Sequence, residues 1–125
     1  MFQIIFNELS AAELSELPKP LQLTLLSEFQ LLPEDLDRLA ETGGGGQFGR
    51  IERDGKKLFR YRASDYRIYF ETCPQGVTVH RILHKNTLSD FLFRSKLPLA
   101  EDDQLGRTKG FWKLIDEGAN ARQSQ

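Results

Sequence analysis

The sequence has little that would cross-link the chain or place it in a membrane. Its one cysteine, Cys73, has no partner for an internal disulfide, which fits a reducing compartment and predicts a cytoplasmic protein. The longest apolar runs, such as residues 4–6, are far shorter than the roughly 20 residues that span a bilayer. The N-terminus lacks a basic stretch followed by an apolar core, so we expect no secretory signal and no membrane partner. With 125 residues, 39% of them hydrophobic, the chain predicts one globular domain.

Charge is distributed unevenly along the chain. Residues 1–46 carry two basic and eight acidic side chains, a net charge of −6. Residues 47–96 carry eleven basic and five acidic side chains, a net charge of +6, and both histidines lie among them. A basic segment of this kind forms either an anion-binding surface or a solvated sheet face that the acidic helical layer partly neutralises.

The N-terminal part predicts a short strand followed by a helical hairpin. Residues 2–6 are rich in aromatic and β-branched side chains. Ser10 followed by Glu13 matches a capping box, and Pro18 ends the helix that it begins. Pro20 suits the start of a second helix. The residues at helical spacing on its core face are Leu21, Leu25, Leu26, Phe29 and Leu32, and further turns follow at Leu36, Leu39 and Ala40.

The pattern changes from helix to strand after four consecutive glycines, Gly43 to Gly46, which we interpret as a flexible joint. Turns are predicted at Asp54-Gly55, at Asp65 and at Cys73-Pro74-Gln75-Gly76. Three turns separate four antiparallel strands, at 48–53, 56–62, 66–72 and 77–83. The fold class is therefore α+β: an N-terminal strand and a helical hairpin packed on a four-stranded antiparallel sheet. Short C-terminal helices follow, and the last of them packs onto the body through Phe111, Trp112, Leu114 and Ile115.

Alternation within the strands assigns side chains to two faces of the sheet. The face expected against the helices carries Phe59, Tyr61, Tyr66, Ile68, Phe70, Val77 and Val79. The opposite face is expected to display Arg60, Arg62, Arg67, Tyr69, Thr78, His80, Ile82 and His84. Because neighbouring strands lie about 5 Å apart, these cations repel one another unless an anionic group compensates them. A phosphate-rich ligand, an acidic partner and the chain's own segment 101–103 are all candidates.

A metal site is not expected from the two histidines. His80 and His84 are four residues apart on one strand, so they are about 13 Å apart, too far to bind one ion. The sequence predicts no cofactor.

Three segments carry a resemblance to a known family. They are FQIIFNELSAAELSELPKPLQ at 2–22, LFRYRASDYRIYF at 58–70 and RILHKNTLSDFLF at 81–93. Together they resemble the RelE/ParE superfamily of bacterial toxins, small α+β proteins in which a strand and two helices precede an antiparallel sheet. The resemblance implies a RelE-like domain at 1–96, with a helical part at 8–42 and a sheet at 47–84. Residues 97–125 then form a partly ordered C-terminal extension.

The RelE branch of this family cuts messenger RNA in the ribosomal A site by metal-independent attack of a ribose 2′-hydroxyl. The resemblance therefore implies an enzyme whose partners are the ribosome, mRNA and an antitoxin protein laid over the basic face. It implies phosphate stabilisation by Arg67 and a catalytic basic residue, Arg60, on the preceding strand. It also implies a catalytic basic pair, His84 and Lys85, in which His84 transfers the proton. The further RNA-binding residues are Arg62, His80 and Lys57.

Two positions differ from the RelE branch and keep other functions open. Phe91 stands where that branch has a catalytic tyrosine, and Lys85 stands where an arginine is more usual. A ParE-like toxin, which binds DNA gyrase and performs no RNA chemistry, is one alternative. A noncatalytic RNA-binding or protein-binding module of the same fold is another.

Overall fold

The computed structural model describes residues 3–28, 34, 48–53, 55–63, 65–89, 105–107 and 109–121. The elements in chain order are β1 (Gln3–Phe6), α1 (Glu8–Ser15), α2 (Lys19–Glu28), β2 (Phe48–Arg53), β3 (Lys56–Ala63), β4 (Tyr66–Cys73), β5 (Gly76–His84), α3 (Lys85–Ser89) and α4 (Lys109–Ala119). The predicted α+β class is confirmed. The expected helical turns at Leu36, Leu39 and Ala40, the glycine joint at Gly43 to Gly46, position 91 and the acidic segment 101–103 lie outside the described residues.

The sheet has five strands in the order β1-β5-β4-β3-β2. The four predicted strands β2 to β5 pair antiparallel to their neighbours, as expected. The prediction of a four-stranded sheet is wrong in one detail, because β1 joins the sheet parallel to β5, from Gln3 opposite Gly76 to Phe6 opposite Val79. This pairing covers part of an edge of β5 that would otherwise expose unpaired backbone groups.

Two glycines make the tight connections of the sheet possible. Gly55 has a φ of +82° in the turn between β2 and β3, a conformation that suits glycine at the predicted hairpin. Gly76, the last residue of the Cys73-Pro74-Gln75-Gly76 turn, has a φ of +147°. A Cβ atom on Gly76 would overlap the backbone of Gln3, so the close approach of β1 to β5 requires glycine there.

Helix α1 begins one turn earlier than the sequence predicts. Asn7 is the N-cap, and its side chain accepts a hydrogen bond from the backbone N–H of Ser10 at 2.7 Å. Asn7 N–H in turn donates to Ser10 Oγ at 3.0 Å. Ser10 is therefore the N3 residue of the capping box and not its N-cap. Its hydroxyl also donates to the carbonyl of Val79 in β5, at 2.9 Å.

Polar side chains of α1 and its N-cap bind the backbone of β5 where β1 no longer pairs with it. Residues 7, 10 and 13 follow one side of the helix at three-residue spacing, and each bonds the backbone of β5. Glu13 Oε1 accepts from the N–H of Ile82 at 2.9 Å. Side chains thus supply hydrogen bonds to the backbone groups on this edge of β5, which buried backbone groups require.

The apolar face of the sheet packs against α1 and α2. Its buried residues from the strands are Phe59, Tyr61, Ala63, Ile68, Phe70, Val77, Val79 and Ile82, and Leu17 and Leu25 join them from the helical layer. The predicted assignment of this face is confirmed except at Ile82, which was predicted to lie on the opposite face. Leu26 was predicted to be buried but is 47% exposed, because α2 turns Leu21 and Leu25 toward the sheet instead.

The opposite face is covered by α4 and forms a second core. Its buried residues are Ile51, Leu58, Tyr69, Leu83, Leu88, Leu105, Phe111, Trp112 and Ile115. The prediction that a C-terminal helix packs onto the body is confirmed, with Leu114 at the margin of this cluster. No helix in the described part of the chain is both long enough and apolar enough to span a membrane.

Candidate functional site

The three arginines predicted as site residues lie together on one face of the sheet. Arg60 and Arg62 are two residues apart on β3, so they share one face of the sheet. Arg62 is directly opposite Arg67 of β4. Arg60 is directly opposite Tyr69. Cross-strand partners have Cβ atoms about 5 Å apart, so the three guanidinium stems start from neighbouring positions. We call the side of the sheet that carries these residues the arginine face.

Two of the three arginines, Arg60 and Arg67, are buried, although the alternation of the strands predicts a face that displays them. Arg60 is 6% exposed and Arg67 is 9% exposed. Arg67 Nη1 donates to the carbonyl of Tyr66 at 3.1 Å, and Arg60, Arg62 and Arg67 all have further interaction partners. Burial is possible because an arginine stem packs well against apolar neighbours, while its planar head is more weakly hydrated than an ammonium group.

Residues of the second core lie directly beside Arg60 and Arg67. Tyr69, opposite Arg60, makes an edge-on ring contact with Phe111 of α4, with ring centroids 5.1 Å apart. Leu83, opposite Arg67, belongs to the same cluster. Helix α4 therefore packs on the residues directly next to the arginines.

A β-bulge in β5 decides which histidine shares the arginine face. Tyr69 is opposite Arg81 and Phe70 is opposite Val79, so His80 is an extra residue without a partner in β4. A bulge shifts all later side chains by one residue relative to the faces of the sheet. Val77 and Val79 therefore share the apolar face with Ile82.

His84 lies on the face opposite the arginines, so the predicted placement of His84 beside them is wrong. Its ring makes an edge-on contact with Tyr66, with centroids 4.9 Å apart, and Tyr66 packs against the apolar core. Its Nδ1 accepts a hydrogen bond from the backbone N–H of Asn86 at 3.0 Å. The physical reason is the bulge, which moves Ile82 and His84 together to the other face.

His80 is the histidine that lies on the arginine face. It is 6% exposed, and its Nε2 is 3.4 Å from Glu71 Oε2. This contact has the distance of an ion pair for a protonated ring but not the geometry of a hydrogen bond, and neither ring nitrogen is hydrogen-bonded within the described residues. This pair was not predicted from the sequence. One signal for it was present, since the apolar positions 77, 79 and 82 break the two-residue period at His80.

The structure does not bring the two predicted lysines to the arginines. Lys57 is exposed and directly opposite Glu52, and alternation along β3 puts it on the same face as Phe59. Lys85 follows β5, where its Nζ is 3.3 Å from Asp65 Oδ1 and both side chains are more than half exposed.

Other sites in the described residues fit a charged ligand less well. No group of three or more His, Cys, Asp or Glu side chains in these ranges could hold a metal ion. A cavity of about 350 Å³ lies between β1, α1 and α2, and it is lined by Ile4, Ile5, Phe6, Ala11, Leu14, Ser15 and Gln22. It carries no charged side chain.

Comparison with known proteins adds no assignment. No protein-family model matches the sequence, and no curated protein matches it with statistical significance.

Proposed function

We propose that the protein is a RelE-like toxin of a toxin–antitoxin pair that cleaves messenger RNA on the ribosome. The observation that carries the proposal is the arrangement of Arg60, Arg62 and Arg67 at neighbouring positions on one face. The sequence resemblance supports it, as does the order of elements, in which β1, α1 and α2 precede the antiparallel strands. An antitoxin, the ribosome and mRNA are the partners that this function requires.

The proposed reaction needs no metal or cofactor. The ribose 2′-oxygen bonds to the adjacent phosphorus, the bond to the 5′-oxygen breaks, and one proton passes from the 2′-hydroxyl to the leaving oxygen. The phosphorane gains negative charge on the way, and arginines held in place beside it stabilise that charge through paired N–H donors. Arg67 and Arg60 are the residues to which we assign this role, with Arg62 as a further phosphate contact.

Expression of the protein alone from an inducible promoter tests the proposal. We expect growth arrest, with new mRNA 5′ ends at fixed positions within codons. Because Arg67 is buried, truncation to alanine would also remove packing, so Arg67→Lys is the better variant. It keeps the charge but lacks the two-pronged guanidinium, and it should abolish cutting while the circular dichroism spectrum stays unchanged. Unchanged cutting by Arg67→Lys would remove Arg67 from the mechanism.

A pair of histidine variants separates the two candidate proton-transfer groups. His80→Gln changes the arginine face, whereas His84→Gln changes the ring contact with Tyr66 on the other face. If the imidazole acts beside the arginines, cutting falls in His80→Gln and persists in His84→Gln. The opposite result would restore the role that the family resemblance implies for His84.

A ParE-like action on DNA gyrase is the second candidate. The observation that favours it is the separation of His84 from the arginines by the thickness of the sheet. Inhibition of supercoiling by purified gyrase, together with growth arrest and no new mRNA ends, would support this function. Full supercoiling at saturating protein would reject it.

A noncatalytic binding module of the same fold is favoured by the burial of Arg60 and Arg67. In that case the soluble, folded protein is harmless when it is expressed alone. Growth arrest would count against it.

A further inference from the structure

Helix α4 occupies the space above the middle of the arginine face. Its Phe111 contacts Tyr69, the residue directly opposite Arg60. Trp112 and Ile115 are buried in the same cluster as Leu83, the residue directly opposite Arg67. Near the other end of the helix, Gly118 packs against the carbonyl of His80. A polyanion that bound across this face would therefore need the volume that α4 fills.

A small set of polar contacts fastens the C-terminal half of α4. Asn7 Nδ2 donates to the carbonyl of Gly118 at 2.6 Å. Arg81 Nη1 donates to the carbonyl of Leu114 at 3.0 Å and lies 3.5 Å from Glu117 Oε2. The carbonyl of Gly118 also accepts from the backbone N–H of Ala121 at 3.1 Å. Water can replace the side-chain donors at both carbonyls after release, so these contacts do not prevent α4 from leaving.

We propose that α4 is a displaceable cover on the arginine face, and that single-stranded RNA competes with it. The choice of RNA as ligand rests on the proposed function, whereas the cover rests on the packing of α4. The phosphate backbone offers charge-assisted hydrogen bonds to the arginines, and these compensate for the apolar surface that is exposed when α4 leaves. In the resting protein the cover keeps RNA off the face.

Gly118 provides a substitution that weakens the cover without touching the arginines. A Cβ atom at this position would overlap the carbonyl oxygen of His80 and lie 2.8 Å from its carbon, so Gly118→Ala forces α4 away from β5. Alanine is a better helix former than glycine by about 1 kcal/mol, so release would come from this overlap and not from a weaker helix. Ala119→Ser is the matched control, because Ala119 is the next residue of the same helix and is exposed.

Trp112 reports release directly, because it is the only tryptophan of the chain and is 3% exposed. Its indole Nε1 donates to the carbonyl of Gly106 at 2.7 Å. We expect the emission of Gly118→Ala to move to longer wavelength than that of the wild type and Ala119→Ser. Hydrogen exchange in the amides of β3 and β4 should stay the same in all three proteins.

Binding of a fluorescein-labelled single-stranded RNA of mixed sequence is then measured by anisotropy. If the uncovered form is about 1–10% populated in the wild type, Gly118→Ala should bind RNA about ten- to a hundredfold more tightly, since apparent affinity scales with the competent fraction. The gain should disappear in the double variant Gly118→Ala/Arg67→Lys. Ala119→Ser should bind like the wild type.

The wild-type protein supplies a second measurement that does not depend on how a variant folds. Saturating RNA should speed hydrogen exchange in the amides of 109–119 while leaving those of β3 and β4 protected. Unchanged exchange in α4 at saturation would overturn the cover. So would a Gly118→Ala protein whose Trp112 is exposed but whose affinity for RNA equals that of the wild type.

These outcomes are separate from those of the proposed function. Tighter RNA binding by Gly118→Ala without mRNA cutting in cells would support the cover and reject the nuclease. Cutting by the wild type with α4 still protected on RNA would support the nuclease and reject the cover.

Discussion

The two faces of the sheet are both buried, but their composition differs. The face against α1 and α2 is apolar throughout its centre, with Phe70, Val77 and Val79 fully buried. The arginine face has an apolar cluster of comparable size, yet Arg60, Arg67 and His80 are buried on the same side. The first face buries mainly apolar groups, which lose little by leaving water, whereas the arginine face also buries charge, which is costly unless it is paired.

The difference shows that charge and exposure are separate properties of a strand position. Arg60 and Arg67 contribute long stems to a packed surface, and their charges do not keep α4 away. A face of mixed composition is held less strongly than an apolar one of equal area, because part of its burial opposes folding. We therefore expect the cover over the arginine face to open before the layer formed by α1 and α2.

Two phenylalanine variants test this ordering and have the largest expected effects. Phe70→Ala removes a fully buried ring from the apolar face and should lower the free energy of unfolding by about 3–5 kcal/mol, measured in urea. Phe111→Ala removes an equally buried ring from α4. We expect it to speed hydrogen exchange in α4 well before the sheet. If exchange instead rises equally in α4 and β4, the two faces open together and the comparison fails.

Asn7 joins α1 to β5 and to α4, so we expect the next largest effect when its side chain is removed. Asn7→Ala loses the cap of α1 and leaves the carbonyls of His80 and Gly118 without this donor. A lost cap costs about 1 kcal/mol and an unsatisfied buried group about 1–3 kcal/mol, so we expect a loss of about 2–4 kcal/mol.

Asn7→Ser is the control for the cap. Serine can accept from the N–H of Ser10 but is too short to replace the amide donor. Denaturation midpoints that match for the serine and alanine variants would show that the cap contributes nothing and that the two carbonyl bonds account for the whole effect.

Much of the fold could be predicted from local sequence, because turns and alternation are local properties. Asp54-Gly55 and Gly76 mark turns through their backbone freedom, and the strands between them alternate as the structure has them. The pairing of β1 with β5 could not be predicted in this way. It depends on residues more than 70 positions apart, 3–6 and 76–79, and no local pattern fixes such a register.

The candidate site was predicted only in part, for two physical reasons. The arginines share a face because β3 and β4 pair without interruption between Arg60 and Arg67, so parity alone locates them. One residue, His80, is inserted in β5 and reverses the parity of His84. The burial of the arginines depends on where α4 packs. The apolar residues of α4 predict that the helix packs on the sheet, but they do not indicate which of the two faces it covers.

Arg81 and Arg50 form a pair of arginine variants in contrasting surroundings. Arg81 is largely buried, contacts both carboxylate oxygens of Glu13 at 2.9–3.2 Å and bonds the carbonyl of Leu114. Arg81→Lys keeps the charge but loses the two-pronged contact, and we expect a loss of about 1–2 kcal/mol. Arg50→Lys, at a more exposed ion pair with Glu52, should change stability by less than about 0.5 kcal/mol. Equal losses at the two sites would show that the junction of α1, β5 and α4 depends on no special geometry at Arg81.

Lys85 has the smallest expected effect on stability, and that makes it useful for testing activity. In its ion pair with Asp65, both side chains are more than half exposed. A double-mutant cycle of Lys85→Ala and Asp65→Ala should therefore give a coupling free energy below about 1 kcal/mol. Added salt should reduce this coupling further. Because Lys85→Ala leaves both cores intact, any loss of mRNA cutting in this variant reflects contact with RNA and not a damaged fold. Unimpaired cutting would confine the phosphate contacts to the arginine face, whereas lost cutting with unchanged stability would extend the site beyond β5 to the start of α3.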